Sequence, residues 1–312
     1  MTTSTTRRRT TVAAMLTLGL GLGAALSACT SATGTASTTA TTRHTTTAVP
    51  GTAGGAASTA LEPERDVTVT GRHFKARCAG TGPSVVLVAD YGQSMDEAWD
   101  TLPQTLASSG RVCVYDRLGV GRSDPPPERQ TFATLAADLD GLISALGLTR
   151  PVVAVGRSMG APIVLSWASS HRSDARAVVL LDPMPPGYFG PDGIFVKLLP
   201  PKDPGDPELG NLWADLDRFN DPATNRESLD PRSWTTYARL APTSVPLYDL
   251  VEAQSQPQSW PAAVDARKVE AAWRASQRRV LALSSASEMV GVPTADDVPS
   301  AIRMTLDRAL RP

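Results

Sequence analysis

The stretch Val152-Val153-Ala154-Val155-Gly156-Arg157-Ser158-Met159-Gly160 constrains the fold more than any other in the chain. An unbroken apolar run reads as a strand buried on both faces, and it passes through Gly-x-Ser-x-Gly into a helical pattern that runs to Ala168. A serine at such a strand–turn–helix junction presents its hydroxyl at the carboxyl edge of a sheet. Gly156 and Gly160 carry no side chain, so strand and helix can close around it. The amide of Met159, at the helix start, is placed to stabilise an oxyanion.

Further strand and helix patterns alternate around this junction. Ser84 to Ala89 is a continuous apolar run, Arg111 to Tyr115 is the next strand, and Ala177 to Leu181 ends at Asp182-Pro183. Helical periodicity covers Asp96 to Ser109, Phe132 to Ala145, Asp265 to Leu283 and Pro299 to Leu310. Thr243 to Leu250 reads as a later strand, with Val251-Glu252 at its end. Repeated units of this kind require an α/β architecture: a mostly parallel sheet covered on both faces.

Residues 61–312 have the length of one such domain, and what precedes them is of another nature. Arg7-Arg8-Arg9 precede an apolar stretch, Val12 to Leu26, that is too short and glycine-rich for a comfortable membrane span. Leu26-Ser27-Ala28-Cys29 closes it and resembles the lipobox of bacterial lipoproteins, the alternative being an ordinary secretory signal. The resemblance implies removal of residues 1–28 and a lipid on Cys29 that holds the exported chain to the bacterial membrane, facing the envelope. Residues 29–60 are nearly all Thr, Ala, Ser and Gly, the composition of a flexible linker. His44 lies within it as a solvated residue.

Lys and Arg number 30 against 31 Asp and Glu, so no nucleic-acid footprint is expected. No phosphate loop and no His/Cys metal spacing occurs, and the sequence implies neither a cofactor nor a metal. Cys78 and Cys113 remain as an even pair in an exported chain, each in a strand pattern. If those strands are neighbours the two can be bridged, for roughly 3–4 kcal/mol on the chain-entropy model; otherwise they are buried thiols.

Three blocks together carry a family likeness. Tyr115-Asp116-Arg117-x-Gly119-x-Gly121-x-Ser123-Asp124, the elbow Gly156 to Gly160, and Val179-Leu180-Leu181-Asp182-Pro183 resemble the α/β-hydrolases in wording and spacing, over about Val67 to Leu310. The resemblance implies the α/β-hydrolase fold with a cap insertion, here about 183–245, and Ser158 as nucleophile. Asp116 and Arg117 are expected to brace a turn. The aromatic residues Tyr188, Phe189, Phe195, Trp213, Phe219, Trp234 and Tyr237 either line a pocket or form the cap's own small core. The acid of the family's triad follows the seventh strand, which makes Glu252 the first candidate and Asp249 the second, a solvated loop carboxylate being the alternative.

Two departures from the family stand out. Where its members carry the catalytic histidine, this chain reads Val292-Pro293-Thr294-Ala295-Asp296-Asp297, and Asp296 lies closest to that slot. An ordinary carboxylate is a poor base toward a serine hydroxyl and has no second nitrogen for an orienting acid to hold. His171 is thirteen residues beyond Ser158, about 20 Å along the elbow helix, in what reads as an exposed loop; His73 lies in an early strand. The second departure is Asp90, in the place of the glycine that usually follows the third strand. There the amide of Tyr91 is expected to complete the oxyanion hole. Asp90 either faces solvent or sets a carboxylate against developing negative charge. Two functions follow as expectations. One is a catalytically impaired, lipid-anchored serine hydrolase homologue that binds a small apolar ester, lipid or envelope ligand. The other is an active serine ester hydrolase with an unrecognised base.

Overall fold

Every residue of Ser84–Val88 and of Val152–Arg157 is buried, as strands covered on both faces must be. They form the middle of an eight-stranded sheet in the computed structural model, which describes residues 59–252 and 260–311. The leader, Cys29, His44 and nearly all of the linker lie outside the described residues.

The strands are β1 (Arg65–Val69), β2 (Arg72–Ala79), β3 (Ser84–Val88), β4 (Arg111–Tyr115), β5 (Val152–Arg157), β6 (Ala175–Leu181), β7 (Leu247–Glu252) and β8 (Ser287–Val292). Their order is β1-β2-β4-β3-β5-β6-β7-β8. The β1–β2 and β2–β4 pairs are antiparallel and all others parallel. Helices α3 (Phe132–Ala145), α4 (Gly160–Ser170) and α8 (Ala266–Leu281) bury Leu139, Ile163 and Val280 on one face. Helices α1 (Met95–Trp99), α2 (Leu102–Leu106) and α9 (Val298–Ala309) bury Trp99, Leu106 and Leu306 on the other. Between β6 and β7 the chain forms a cap with helices α5 (Ile194–Leu198), α6 (Pro207–Asn220) and α7 (Arg232–Tyr237).

The antiparallel β2–β4 register sets Cys78 opposite Cys113, and their sulfurs are bonded at 2.02 Å. Both cysteines are wholly buried, so the bridge staples the outer antiparallel strands to the parallel sheet.

Several boundaries differ from the sequence reading, each for a local reason. The helix expected over Asp96–Ser109 is two short helices. Asp100 ends the first at φ 41°, and Pro103, in the first turn of the second, restarts the chain. The seventh strand begins at Leu247, after Pro246, while Thr243 makes only an isolated bridge to Ser284. It continues through Glu252, so the first acid candidate belongs to the strand and not to a loop. β1 was not expected as a strand. Only Val67 and Val69 of its five residues are buried, too faint an alternation to read against polar neighbours.

Candidate functional site

Ser158 sits at φ +48°, a left-handed conformation that costs a non-glycine residue energy and is kept where the surroundings enforce it. Those surroundings are specific. The Ser158 amide donates to Leu181 O of β6 at 3.0 Å, and its carbonyl accepts from the amides of Ala161 and Met184. A Cβ at Gly160 would lie 2.2 Å from Val88 O, and one at Gly156 would lie 2.8 Å from the Gly160 backbone. Both glycines are therefore required for β3, β5 and α4 to meet around the serine.

The two amides expected to form an oxyanion hole do converge, but on a side chain. Tyr91 N donates to Asp90 Oδ1 at 2.6 Å, and Met159 N approaches the same oxygen at 3.4 Å. The Ser158 hydroxyl is also hydrogen-bonded to the Asp90 carboxyl. Asp90 is 1% exposed, which excludes the solvent-facing alternative. Burial pushes its carboxyl up to about 6, against the pull of the Ser158 hydroxyl, the Arg157 charge and the two amides. A carboxylate thus occupies the position where an acyl oxyanion would be held.

The loop that carries Asp90 is clamped from below and from the cap. Arg117 donates to Ala89 O and Asp90 O, each at 2.7 Å, and forms a two-pronged pair with Glu227, both bonds at 2.8 Å. Glu227 Oε1 also accepts from Gly92 N. Arg117 and Glu227 are both buried, so the motif arginine reaches well beyond the turn it was expected to brace. Asp116 does brace that turn, accepting from the amides of Met95 and Arg122. Glu227 was not visible in the sequence as a site residue; Asn225-Arg226-Glu227-Ser228 reads as ordinary polar loop.

On the other side of Ser158 the sheet edge is acidic. Asp182 follows β6 at φ 42°, and its Oδ1 accepts from the Glu252 amide at 3.3 Å. Burial, reinforced by the charge of Glu252, lifts Asp182 to about 7. Asp249 is wholly buried and is lifted to about 7 by burial and then by Asp182. Burial also raises Glu252, while the Arg157 guanidinium pulls it back. Both acid candidates thus lie near the elbow, and Asp182 joins them. Its signal was a carboxylate closing the otherwise apolar strand Ala177–Leu181.

Among the described residues no imidazole is brought to this edge. Asp296 lies in a short 3-10 turn between β8 and α9 and is exposed, so the residue nearest the histidine slot does not enter the buried site. His73 is on antiparallel β2, paired with the Thr68 hydroxyl. His171 caps the far end of the elbow helix, where it stacks on Trp167 and faces Asp140; it is half-buried and not in an exposed loop, because Trp167 provides a platform. The cap aromatics pack on one another. Tyr188, Phe189, Phe195 and Trp234 are linked by ring contacts, Trp273 of α8 joins them, and Tyr91 meets Phe219 edge-on at 5.0 Å. Among the described residues no group of three or more His, Cys, Asp or Glu is arranged to hold a metal ion, and no helix is long and apolar enough to cross a membrane.

Residues 83–277 match the family model described as alpha/beta hydrolase fold. The chain is 32% identical over 122 residues to the protein YqjL of Bacillus subtilis, covering 38% of this chain and 48% of that protein. It is also 32% identical over 120 residues to the non-heme chloroperoxidase CPO-A1 of Kitasatospora aureofaciens, covering 37% and 43%. The chain therefore spans less than half the length of these curated relatives. In structure it resembles a thermophilic esterase from Thermogutta terrifontis, with a TM-score of 0.55, 21% identity, and coverage of 80% of this chain and 100% of that one. Sheet order, strained elbow and matched family model agree: the chain belongs to the α/β-hydrolase family.

Proposed function

We propose that this chain is an exported, lipid-anchored α/β-hydrolase homologue in which Ser158 no longer drives efficient hydrolysis and the inherited pocket serves to bind a small ligand. One observation carries the reading: the Asp90 carboxylate fills the space between the amides of Tyr91 and Met159. A preorganised oxyanion hole commonly contributes two to three orders of magnitude in rate, and a negative charge inside it opposes the intermediate. Neither described histidine, His73 or His171, lies at the elbow's end of the sheet, which supports the same reading because the hydroxyl needs a base to become a nucleophile.

A fluorophosphonate probe on the purified full-length chain tests this. The expected result at neutral pH is no appreciable labelling over hours. Stoichiometric labelling that disappears in Ser158→Ala would overturn the reading. The anchor is tested separately by detergent phase partition, in which the chain should enter the detergent phase and Cys29→Ala should remain in the aqueous phase.

One observation favours a second reading, an active ester hydrolase. Asp90 is hydrogen-bonded to the Ser158 hydroxyl, and burial raises it to about 6, close to the range of a useful general base. For that role the carboxylate would first have to leave the two amides it occupies. The labelling experiment decides between the two readings.

A further inference from the structure

The carboxyl edge of the sheet holds more negative charge than the fold itself uses. Asp90, Asp182 and Glu252 follow or end β3, β6 and β7, Asp249 lies three residues behind Glu252, and Arg157 is the cation set among them. Arg157 acts electrostatically on Asp90, Asp182 and Glu252. Three carboxyl groups thus act on one guanidinium in a region withdrawn from water, and Asp249 lies behind them on β7.

Their hydrogen bonding is incomplete. Neither oxygen of Asp249 has a partner, although the residue is 0% exposed. Glu252 Oε1 and Asp90 Oδ2 also lack one. Buried polar atoms in folded proteins are nearly always satisfied, so a concentration of unsatisfied acceptors on one edge marks a place where donors are supplied from outside. Asp249 is near enough to Asp182 for the Asp182 charge to raise it further.

We propose that the sheet edge beside Ser158 is a binding site for an organic cation, a ligand carrying a primary ammonium group that is held between Asp182 and Glu252. Adjacent strand ends lie about 4.8 Å apart, which lets one ammonium reach a carboxylate on each of β6 and β7. Asp182 and Glu252 keep a small exposure, 9% and 8%, while Asp249 has none. The ligand therefore meets the first two, and Asp249 contributes field only. A bare metal ion is the poorer match, because no three described acidic side chains converge on one point. An ammonium needs only two acceptors and brings three donors of its own. Burial keeps Asp182 and Asp249 partly protonated at neutral pH, both near 7.

The inference shares the site with the proposed function but not its reasoning, since a hydrolytically active Ser158 would leave it untouched. Titration calorimetry of the full-length chain at pH 7.5 and low salt, with 1,4-diaminobutane as probe and 1,4-butanediol as neutral control, tests it. The expected result is saturable 1:1 binding of the diamine and none of the diol. Asp182→Asn and Glu252→Gln should each weaken the diamine about ten- to a hundredfold, the usual worth of a charge-assisted hydrogen bond. Glu288→Gln, at an exposed carboxylate paired with Arg308, should leave it unchanged. Asp182→Asn removes a buried charge and should fold, which a thermal melt checks; Glu252→Gln stands as the second, independent variant. Absence of saturable diamine binding to the unaltered protein, or binding that survives both substitutions, would overturn the proposal.

Discussion

Two buried charged regions flank Asp90, and they are built on opposite plans. On one side, Arg117 and Glu227 are matched almost atom for atom: the guanidinium satisfies two backbone carbonyls and a carboxylate, and the carboxylate also takes an amide. On the other side, Asp182, Asp249 and Glu252 lie on or just beyond the neighbouring strands β6 and β7, with unpartnered oxygens on Asp249 and Glu252 and raised pKa values on all three. The first region fastens the cap to the loop after β3. The second adds little to the fold that apolar residues could not supply. Burial of charge is thus tolerated here in two ways, by full pairing or by retention of protons, and only the paired region should respond to mutation as a structural element.

The sharpest way to break that contrast is to unpair the matched side. Glu227→Ala leaves the Arg117 guanidinium buried without its counter-charge, and such half-broken pairs typically cost about 3–5 kcal/mol. The denaturant midpoint of the full-length chain should fall accordingly with an unchanged slope. Replacing both partners with apolar residues, as in Arg117→Met with Glu227→Leu, should cost less than the single change. If the single substitution is silent, the pair is not what fastens the cap.

How much of this was legible in the sequence follows the same division. Features encoded locally could be read: the two-face-buried strands, the elbow glycines, and helix α3 to the residue. The apposition of Cys78 and Cys113 needed only the neighbourhood of two strands. Relations between distant segments could not be read. Glu227 meets Arg117 across 110 residues, and nothing in its own neighbourhood marks it as buried. Asp90 was noticed as a departure, yet whether it faced water or the amides depended on how the loop is held, and Arg117 decides that from another strand end. Asp296 matched the histidine's slot by position along the chain, but Thr294 caps the turn at Asp297 and leaves it on the surface. Position in sequence identified the slot; only packing showed that Asp296 does not turn inward from it.

A smaller effect sharpens the contrast from the acidic side, through pH. The folded-state values of Asp182 and Asp249, near 7, and of Asp90, near 6, all lie above the ordinary 3.8. The folded chain therefore binds these protons more tightly than the unfolded one. Their contribution to stability is complete below about pH 4 and is lost as pH rises through 6 to 7. Glu62 and Asp230 are held below their usual range by Arg111 and Arg232, and Asp140 by the Trp167 ring N–H and Arg150; they work in the opposite sense only at the acid end. The thermal midpoint should accordingly be higher at pH 5 than at pH 8. Asp249→Asn keeps the shape and removes the charge, so it should raise stability at both pH values, and by about 2–3 kcal/mol more at pH 8 than at pH 5. Equal effects at both pH values would mean that Asp249 acts through packing, and a loss at pH 8 would mean that its ionised form is paired.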